Sequence, residues 1–145
     1  MRVWPFRHCL AFLAVILVSL GAIKPIRAAE LMDAFGGKAG LARLADRLVD
    51  RVLADDRIKQ RFARTNLPRL RRLLAEQFCA QLDGGCVYTG RDMAESHQHL
   101  NLRDREFNAL VEDLQLAMDD EHIDFADQNK LIARLAPMKR DIIAN

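Results

Sequence analysis

Apolar residues recur along most of the chain at intervals of three and four, with charged residues between them. This spacing places the apolar side chains on one face of a helix, and it predicts long helices that begin near Leu41, Asn66, Phe107 and Phe125. A shorter helix is expected near residues 31–35. No stretch alternates apolar and polar residues in the manner of a half-buried strand. The pattern therefore predicts an all-α fold.

Breaks in this pattern coincide with residues that end or bend helices. Glycine pairs at 36–37 and 84–85 separate predicted helices. Asn66 is a typical N-cap, and Pro68 falls in the first helical turn after it, where proline is tolerated. Pro137 lies inside the last apolar stripe and should bend or locally break that helix.

The first 28 residues have a different character from the rest. A basic start is followed by an apolar run from Cys9 to Ile23, which is shorter than the ~20 residues that span a bilayer. These features are typical of a signal peptide that is removed before Ala29. We expect residues 29–145 to form one domain in the periplasm, with no stable membrane insertion after cleavage. The alternative is an uncleaved signal that anchors the protein to the membrane.

The charge of the predicted mature domain argues against nucleic acid as a partner. Four of the 22 basic residues and none of the 20 acidic residues lie in residues 1–28. The remainder therefore has 18 basic and 20 acidic residues, a net charge of −2. Proteins that bind nucleic acid usually carry a basic surface, which this balance does not favour.

Two cysteines of the predicted domain lie close together in the chain. Cys79 and Cys86 flank residues 83–85, whose Asp-Gly-Gly sequence favours a turn. In an oxidising compartment this arrangement predicts a disulfide, which would contribute about 2–3 kcal/mol in the chain-entropy model. Metal binding and two free thiols are the alternatives.

One histidine has a spacing that suits a cofactor ligand. His97 follows Met93 by four residues, so that both occupy one face of a short helix. A single histidine can hold haem iron, although a helical histidine is more often bonded to a carbonyl or exposed. His99 is expected at the surface. His122, among the acidic residues of 119–124, offers at most a weak site for a divalent metal.

A family resemblance is carried by several short stretches in a fixed order. They are residues 35–37 (FGG), 52–58 (VLADDRI), Phe62, 88–91 (YTGR), 93–97 (MAESH) and 136–142 (APMKRDI). Together they resemble the group I truncated haemoglobins, from about Leu31 to Asn145. The resemblance implies a two-over-two helical sandwich that holds a non-covalent b-type haem.

The resemblance also implies roles for individual residues. His97 matches the proximal ligand of a five-coordinate haem iron, and Phe62 matches the phenylalanine that packs on the haem. The implied haem contacts are Phe62, Leu70, Leu74, Met93, Leu102, Phe107 and Leu110.

The implied distal side departs from the family pattern. The positions that carry Tyr on the second helix and Gln, Leu or His on the third match Val49, Leu70 and Leu74. An apolar distal pocket would give dioxygen no hydrogen bond and would bind it weakly. A register shifted by one residue would instead place Arg71 in the pocket.

The implied function is reversible binding of O₂, CO or NO. Carriage, sensing and periplasmic haem handling remain open at this point. Nitric oxide dioxygenation would need an external reductase, because the sequence has no flavin or NAD motif. The alternative from another class is a haemless helical interaction module on a globin skeleton.

Overall fold

Helices make up the regular structure of residues 24–143, the part of the chain that the computed structural model describes, and no strand occurs there. The all-α prediction is confirmed. The α-helices are α1 (Lys24–Ala34), α2 (Gly37–Ala54), α3 (Leu67–Gln81), α4 (Met93–His97), α5 (Asp104–Asp120), α6 (Phe125–Leu135) and α7 (Lys139–Ile143). Two 3₁₀ helices span Lys59–Phe62 and Ala136–Met138.

Two pairs of helices form two layers. Helix α2 packs against α3 in one layer, and α5 packs against α6 in the other. The layers meet where α2 contacts α5 and where α3 contacts α6. Helix α4 lies outside these pairs and packs against α7. The arrangement is the two-over-two sandwich that the sequence predicts.

Most of the predicted helix boundaries agree with the structure, and two do not. The Asn66 side chain accepts a hydrogen bond from the Arg69 backbone N–H at 3.0 Å, as expected of an N-cap. Pro137 lies in the 3₁₀ helix that separates α6 from α7. The first helix begins at Lys24 rather than near residue 31, and α2 begins at Gly37 rather than Leu41, because both helices extend into residues outside the apolar stripe.

The predicted signal peptide lies mostly outside the described residues. Its last five residues, 24–28, belong to α1. No helix in residues 24–143 is both long and apolar enough to cross a membrane.

A tight glycine turn joins α1 to α2. Gly36 and Gly37 have φ values of 70° and 63°, a left-handed conformation that strains residues with a side chain. A Cβ atom at Gly40 would lie 1.8 Å from the carbonyl oxygen of Phe35. The close approach of these two backbones therefore requires glycine at position 40.

The core is aliphatic and centres on α2. Its contiguous cluster also draws side chains from α3, α5 and α6, with Phe78 as its one fully buried aromatic residue. The largest fully buried side chains are Phe78, Leu41, Leu44, Leu82, Met118, Leu131, Val49, Val52 and Cys79.

The loop after α3 is fixed to that helix twice. Cys79 and Cys86 form the predicted disulfide, with their Cα atoms 5.7 Å apart. Further along, the Glu76 carboxylate accepts hydrogen bonds from the Thr89 backbone N–H at 3.0 Å and from its hydroxyl at 2.7 Å. These bonds lower the pKa of Glu76. The chain that leads to α4 is therefore held against α3 by one covalent link and one polar link.

Asp113 is a buried carboxylate that lacks a full set of partners. Its side chain on α5 is 5% exposed, and Oδ2 has no hydrogen-bond partner among the described residues. Burial raises the pKa of Asp113, and the charge of Asp55 raises it further, while Arg57 and Arg51 oppose this effect. The ionised form of Asp113 should therefore destabilise the fold.

We expect Asp113→Asn to raise the free energy of unfolding by about 1 kcal/mol at neutral pH, because it removes a buried charge with an unpaired oxygen. The folded pKa lies above the unfolded one, so the unfolded state ionises first as the pH rises. The increase in the free energy of unfolding should therefore appear at pH values above the reference pKa of 3.8 and vanish at pH values below it. Urea unfolding across this range measures it, with Asp33→Asn, the same change at an exposed aspartate on α1, as control. Equal free energies of unfolding for the parent and Asp113→Asn at neutral pH would contradict the prediction.

Candidate functional site

The predicted ligand His97 is the last residue of α4. The Asp92 side chain caps this helix by accepting a hydrogen bond from the Glu95 backbone N–H at 2.6 Å. The Nδ1 atom of His97 lies 2.8 Å from the carbonyl oxygen of Met93. Since a carbonyl only accepts hydrogen bonds, Nδ1 carries the proton of the neutral ring and Nε2 carries a lone pair. The imidazole is therefore oriented as a metal ligand, with its second nitrogen fixed by a carbonyl.

An apolar face of α3 confronts α4. Leu70, Leu74 and Gln77 follow one another at helical spacing and share this face. The Nε2 atom of Gln77 lies 3.6 Å from the sulfur of Met93, so the face is turned towards α4. Leu70 and Leu74 are half-buried. The aliphatic side chains of Leu70 and Leu74 therefore lie on the face of α3 that is turned towards the His97 helix.

The other predicted contacts lie on further elements of the fold. Phe62 ends the first 3₁₀ helix, Leu102 precedes α5, and Phe107 and Leu110 belong to α5. All four are half-buried, as is Met93. Val49 is fully buried on α2, yet it lies outside the contiguous core cluster. Phe62, Leu74 and Leu110 pack against the edge of that cluster, so the predicted site borders the core.

An ion pair between the exposed Arg61 and the buried Glu106 fixes the segment that carries Phe62. The Arg61 guanidinium donates to the carboxylate of Glu106 at 2.6 Å and to the carbonyl oxygen of Leu100 at 3.0 Å. Glu106, which is 6% exposed, also accepts from the Arg103 backbone N–H at 2.8 Å. Arg61 and this N–H lower the pKa of Glu106. The ion pair thereby joins the 3₁₀ helix of Phe62 to the start of α5.

Arg71 does not enter the space between α3 and α4. Its guanidinium donates to the carbonyl oxygen of Asp46 at 2.8 Å and to the carboxylate of Asp50 at 2.5 Å, both on α2. Asp50 and Asp46 hold the side chain against α2 and raise the pKa of Arg71. The observed bonds therefore favour the register with Leu70 and Leu74 over the one with Arg71.

Two residues near the site were absent from the sequence prediction. Gln77 continues the spacing of Leu70 and Leu74, so the helical period could have revealed it. Met138, whose sulfur lies 3.3 Å from Gln77 Nε2, comes from the far end of the chain. Its position depends on the break at Pro137, which the sequence predicts, and on the packing of α7 against α4, which it does not.

The other two histidines of residues 24–143, His99 and His122, lie at the surface, as predicted for His99. His99 and His122 are exposed and have φ values of 65° and 56°. No cluster of three or more metal-binding side chains occurs in residues 24–143, so the acidic residues around His122 form no metal site there.

A cavity of about 390 Å³ lies between α2 and α3. Charged side chains and both disulfide cysteines line it, and none of the predicted haem contacts does. Its lining comprises Lys38, Ala42, Asp46, Arg71, Arg72, Ala75, Glu76, Cys79 and Cys86.

Known proteins resemble this chain over nearly all of the described residues. The family model of the bacterial-like globins matches residues 30–144. A group 1 truncated haemoglobin of Tetrahymena thermophila is 32% identical over 84 residues, which cover 58% of this chain and 69% of that protein. A group 1 truncated haemoglobin of Mycolicibacterium paratuberculosis is 27% identical over 123 residues, which cover 85% of this chain and 90% of that protein.

Solved structures share the fold. The truncated haemoglobin of Tetrahymena pyriformis in its Fe(III) form superposes with a TM-score of 0.75 and 23% identity, covering 78% of this chain and 97% of that one. A 2/2 haemoglobin of Synechococcus with covalently attached haem gives a TM-score of 0.74 and 21% identity, covering 79% of this chain and 98% of that one. The chain therefore belongs to the bacterial-like globin family, whose proteins bind haem and small diatomic gases, and it groups with the group 1 truncated haemoglobins.

Proposed function

We propose that this chain binds one non-covalent b-type haem, with His97 as the proximal ligand of a five-coordinate iron, and a small diatomic gas on the opposite side. The observation that carries the proposal is the match of the bacterial-like globin family model to residues 30–144. The geometry of His97 is compatible with it, since Nδ1 forms a 2.8 Å bond to the Met93 carbonyl. This bond leaves the lone pair of Nε2 to the metal and fixes the ring plane. Haem iron supplies the reversible binding of O₂, CO or NO.

The residues around His97 fit this cofactor. Haem presents two flat apolar faces and one metal, so it needs apolar contacts from several directions and one nitrogen ligand. The half-buried apolar residues come from the first 3₁₀ helix, α3, α4, the segment before α5 and α5 itself, so they could contact such a ligand from several directions. They are Phe62, Leu70, Leu74, Met93, Leu102, Phe107 and Leu110.

A non-covalent attachment is supported by the positions of the nucleophilic side chains. A thioether or histidine bond to haem needs a free cysteine or a further histidine beside the macrocycle. Cys79 and Cys86 are bonded to each other, and His99 and His122 are exposed. The described residues thus offer no free side chain of this kind beside the α3 face, unlike the Synechococcus protein, whose haem is covalently attached.

The distal side, formed by Val49, Leu70 and Leu74, provides no hydrogen-bond donor from these side chains. Dioxygen acquires partial negative charge when it binds, and a donor would stabilise it by about 1.5–3 kcal/mol. We expect weak binding of O₂, fast release and ready oxidation of the ferrous protein. CO binding depends less on such a donor and should be strong.

Nitric oxide dioxygenation remains compatible with this site only if an external reductase supplies electrons. Periplasmic haem handling would use the same His97 ligation with a more easily released haem. The haemless interaction module makes the opposite prediction, since the purified chain would then develop no haem absorption band after addition of hemin.

His97→Ala should remove haem binding, because the chain loses its metal ligand. We expect haem dissociation to accelerate by about a hundredfold or more, beyond the 10–100-fold effects typical of residues that only support a ligand. Added imidazole should restore part of the binding. Absorption titration with hemin measures this, with His99→Ala as the control because His99 is exposed two residues away. Equal haem spectra in parent and His97→Ala would refute the assignment.

Val49→Tyr should slow O₂ release by about tenfold or more, since ~1.4 kcal/mol corresponds to one decade. The added hydroxyl would donate to the bound gas, and CO release should change much less. Val49→Phe is the matched control because it adds the ring without the hydroxyl. Flash photolysis and stopped-flow rates measure these changes. Slow O₂ release from the parent would mean that another group already donates to the ligand.

We further propose that residues 1–28 export the chain to the periplasm and are then removed. The Cys79–Cys86 disulfide supports this proposal, because such bonds persist mainly in oxidising compartments. After expression in a Gram-negative host, N-terminal sequencing of the osmotic-shock fraction should begin at Ala29. Ile16→Arg, which interrupts the apolar run, should keep the chain in the cytoplasm. An intact Met1 in the membrane fraction would instead favour the uncleaved anchor.

A further inference from the structure

Gln77 is a polar residue on the otherwise aliphatic face that α3 turns towards α4. Its side chain is half-buried, and its amide nitrogen lies 3.3 Å from the sulfur of Met138 and 3.6 Å from that of Met93. Thioether sulfurs are weak acceptors, but the contacts are directional. A leucine at position 77 would fill a similar volume and would cost less to bury than an amide. Compared with leucine, glutamine therefore adds only the two directional contacts.

Helix α4 has few other polar links to the rest of the fold. With five residues, it is too short to be stable in isolation. Among the described residues, its other side-chain hydrogen bonds and ion pairs stay within residues 91–97. They join the Glu95 N–H to Asp92, Ser96 to the Arg91 carbonyl, His97 to the Met93 carbonyl, and Arg91 to Glu95. The Gln77 amide therefore provides a polar link between α4 and α3.

The link reaches His97 through a single residue. The Met93 sulfur accepts from Gln77, and the Met93 carbonyl accepts from Nδ1 of His97. The second contact of the amide, to Met138, reaches the 3₁₀ helix that leads into α7, and α7 packs against α4. The Gln77 amide thus lies where α3, α4 and the C-terminal segment meet.

We propose that Gln77 is a positioning residue, which fixes α4 relative to the distal face of α3 and thereby orients the His97 imidazole, acting through the sulfur of Met93. This inference rests on the proposed ligation of haem by His97. Without the Gln77 amide, Leu70 and Leu74 would still pack near α4. Helix α4 could then shift along α3 or away from it without losing a directional contact.

The test compares Gln77→Leu, Met93→Leu and the double variant with the parent. Met93→Leu conserves volume and removes the sulfur acceptor. Gln81→Leu is the matched control, because Gln81 is also half-buried, lies one turn later on α3 and forms no side-chain hydrogen bond among the described residues. Gln77→Met, unbranched like glutamine and without a donor, serves as a second variant should Gln77→Leu fold poorly.

In the apoprotein, hydrogen exchange of the amides of residues 93–98 should be about threefold faster in each single variant, as expected for the loss of one weak hydrogen bond. The double variant should be no faster than either single one, because both remove the same link. Exchange in α2 and α5 should not change. Gln81→Leu should match the parent throughout.

In the haem-loaded protein, resonance Raman spectra should show a shifted or broadened iron–imidazole stretching band in Gln77→Leu and Met93→Leu alone. A merely structural role would lower overall stability without moving this band. The inference is overturned if Gln77→Leu behaves like Gln81→Leu, or if the effects of the two single substitutions add in the double variant. A parent that takes up no haem would overturn the proposed function, while the exchange measurement would still decide whether Gln77 fixes α4.

Discussion

The burial of one face of α2 is the constraint on which the rest of the structure depends. This helix packs against α3 within its own layer and against α5 in the other layer, so its apolar stripe determines how the layers meet. Leu41, Leu44 and Val52 lie in the contiguous core. Val49, on the same helix, is equally buried but lies outside that cluster. A single helix thus contributes both to the core and to the predicted distal pocket, and neither can be repositioned without the other.

Much of this fold follows from local physical chemistry. The apolar period of α2, the Asn66 cap and the break at Pro137 are local signals, and each lies where the sequence predicts it. The start of α1 at Lys24 was missed because residues before the apolar stripe carry no periodic signal. The direction of Arg71 is set by Asp46 and Asp50 on another helix, a tertiary effect that no local pattern contains.

The candidate site was less accessible to the same reasoning. Helical spacing placed His97 and Met93 on one face, but it could not separate a metal ligand from an ordinary helical histidine, and the family resemblance supplied the distinction. The bond from Nδ1 to a carbonyl is a matter of side-chain orientation, which the sequence leaves open. The helical period could have revealed Gln77. It could not have revealed the partner of Gln77, Met138, because the packing of α7 against α4 brings these two residues together.

The two attachments of the loop after α3 determine how far α4 can move relative to α3. Eleven residues separate the end of α3 from α4, yet Cys86 and Thr89 are both secured to α3. Only residues 90–92 lie between this attachment and α4, and Asp92 and the Arg91 carbonyl are already bonded to that helix. An extra residue inserted within 83–85 would be absorbed as a wider bulge behind the disulfide. The same insertion within 90–92 would translate the whole of α4 along its axis. Length variation during evolution should therefore concentrate in residues 83–85 rather than in residues 90–92.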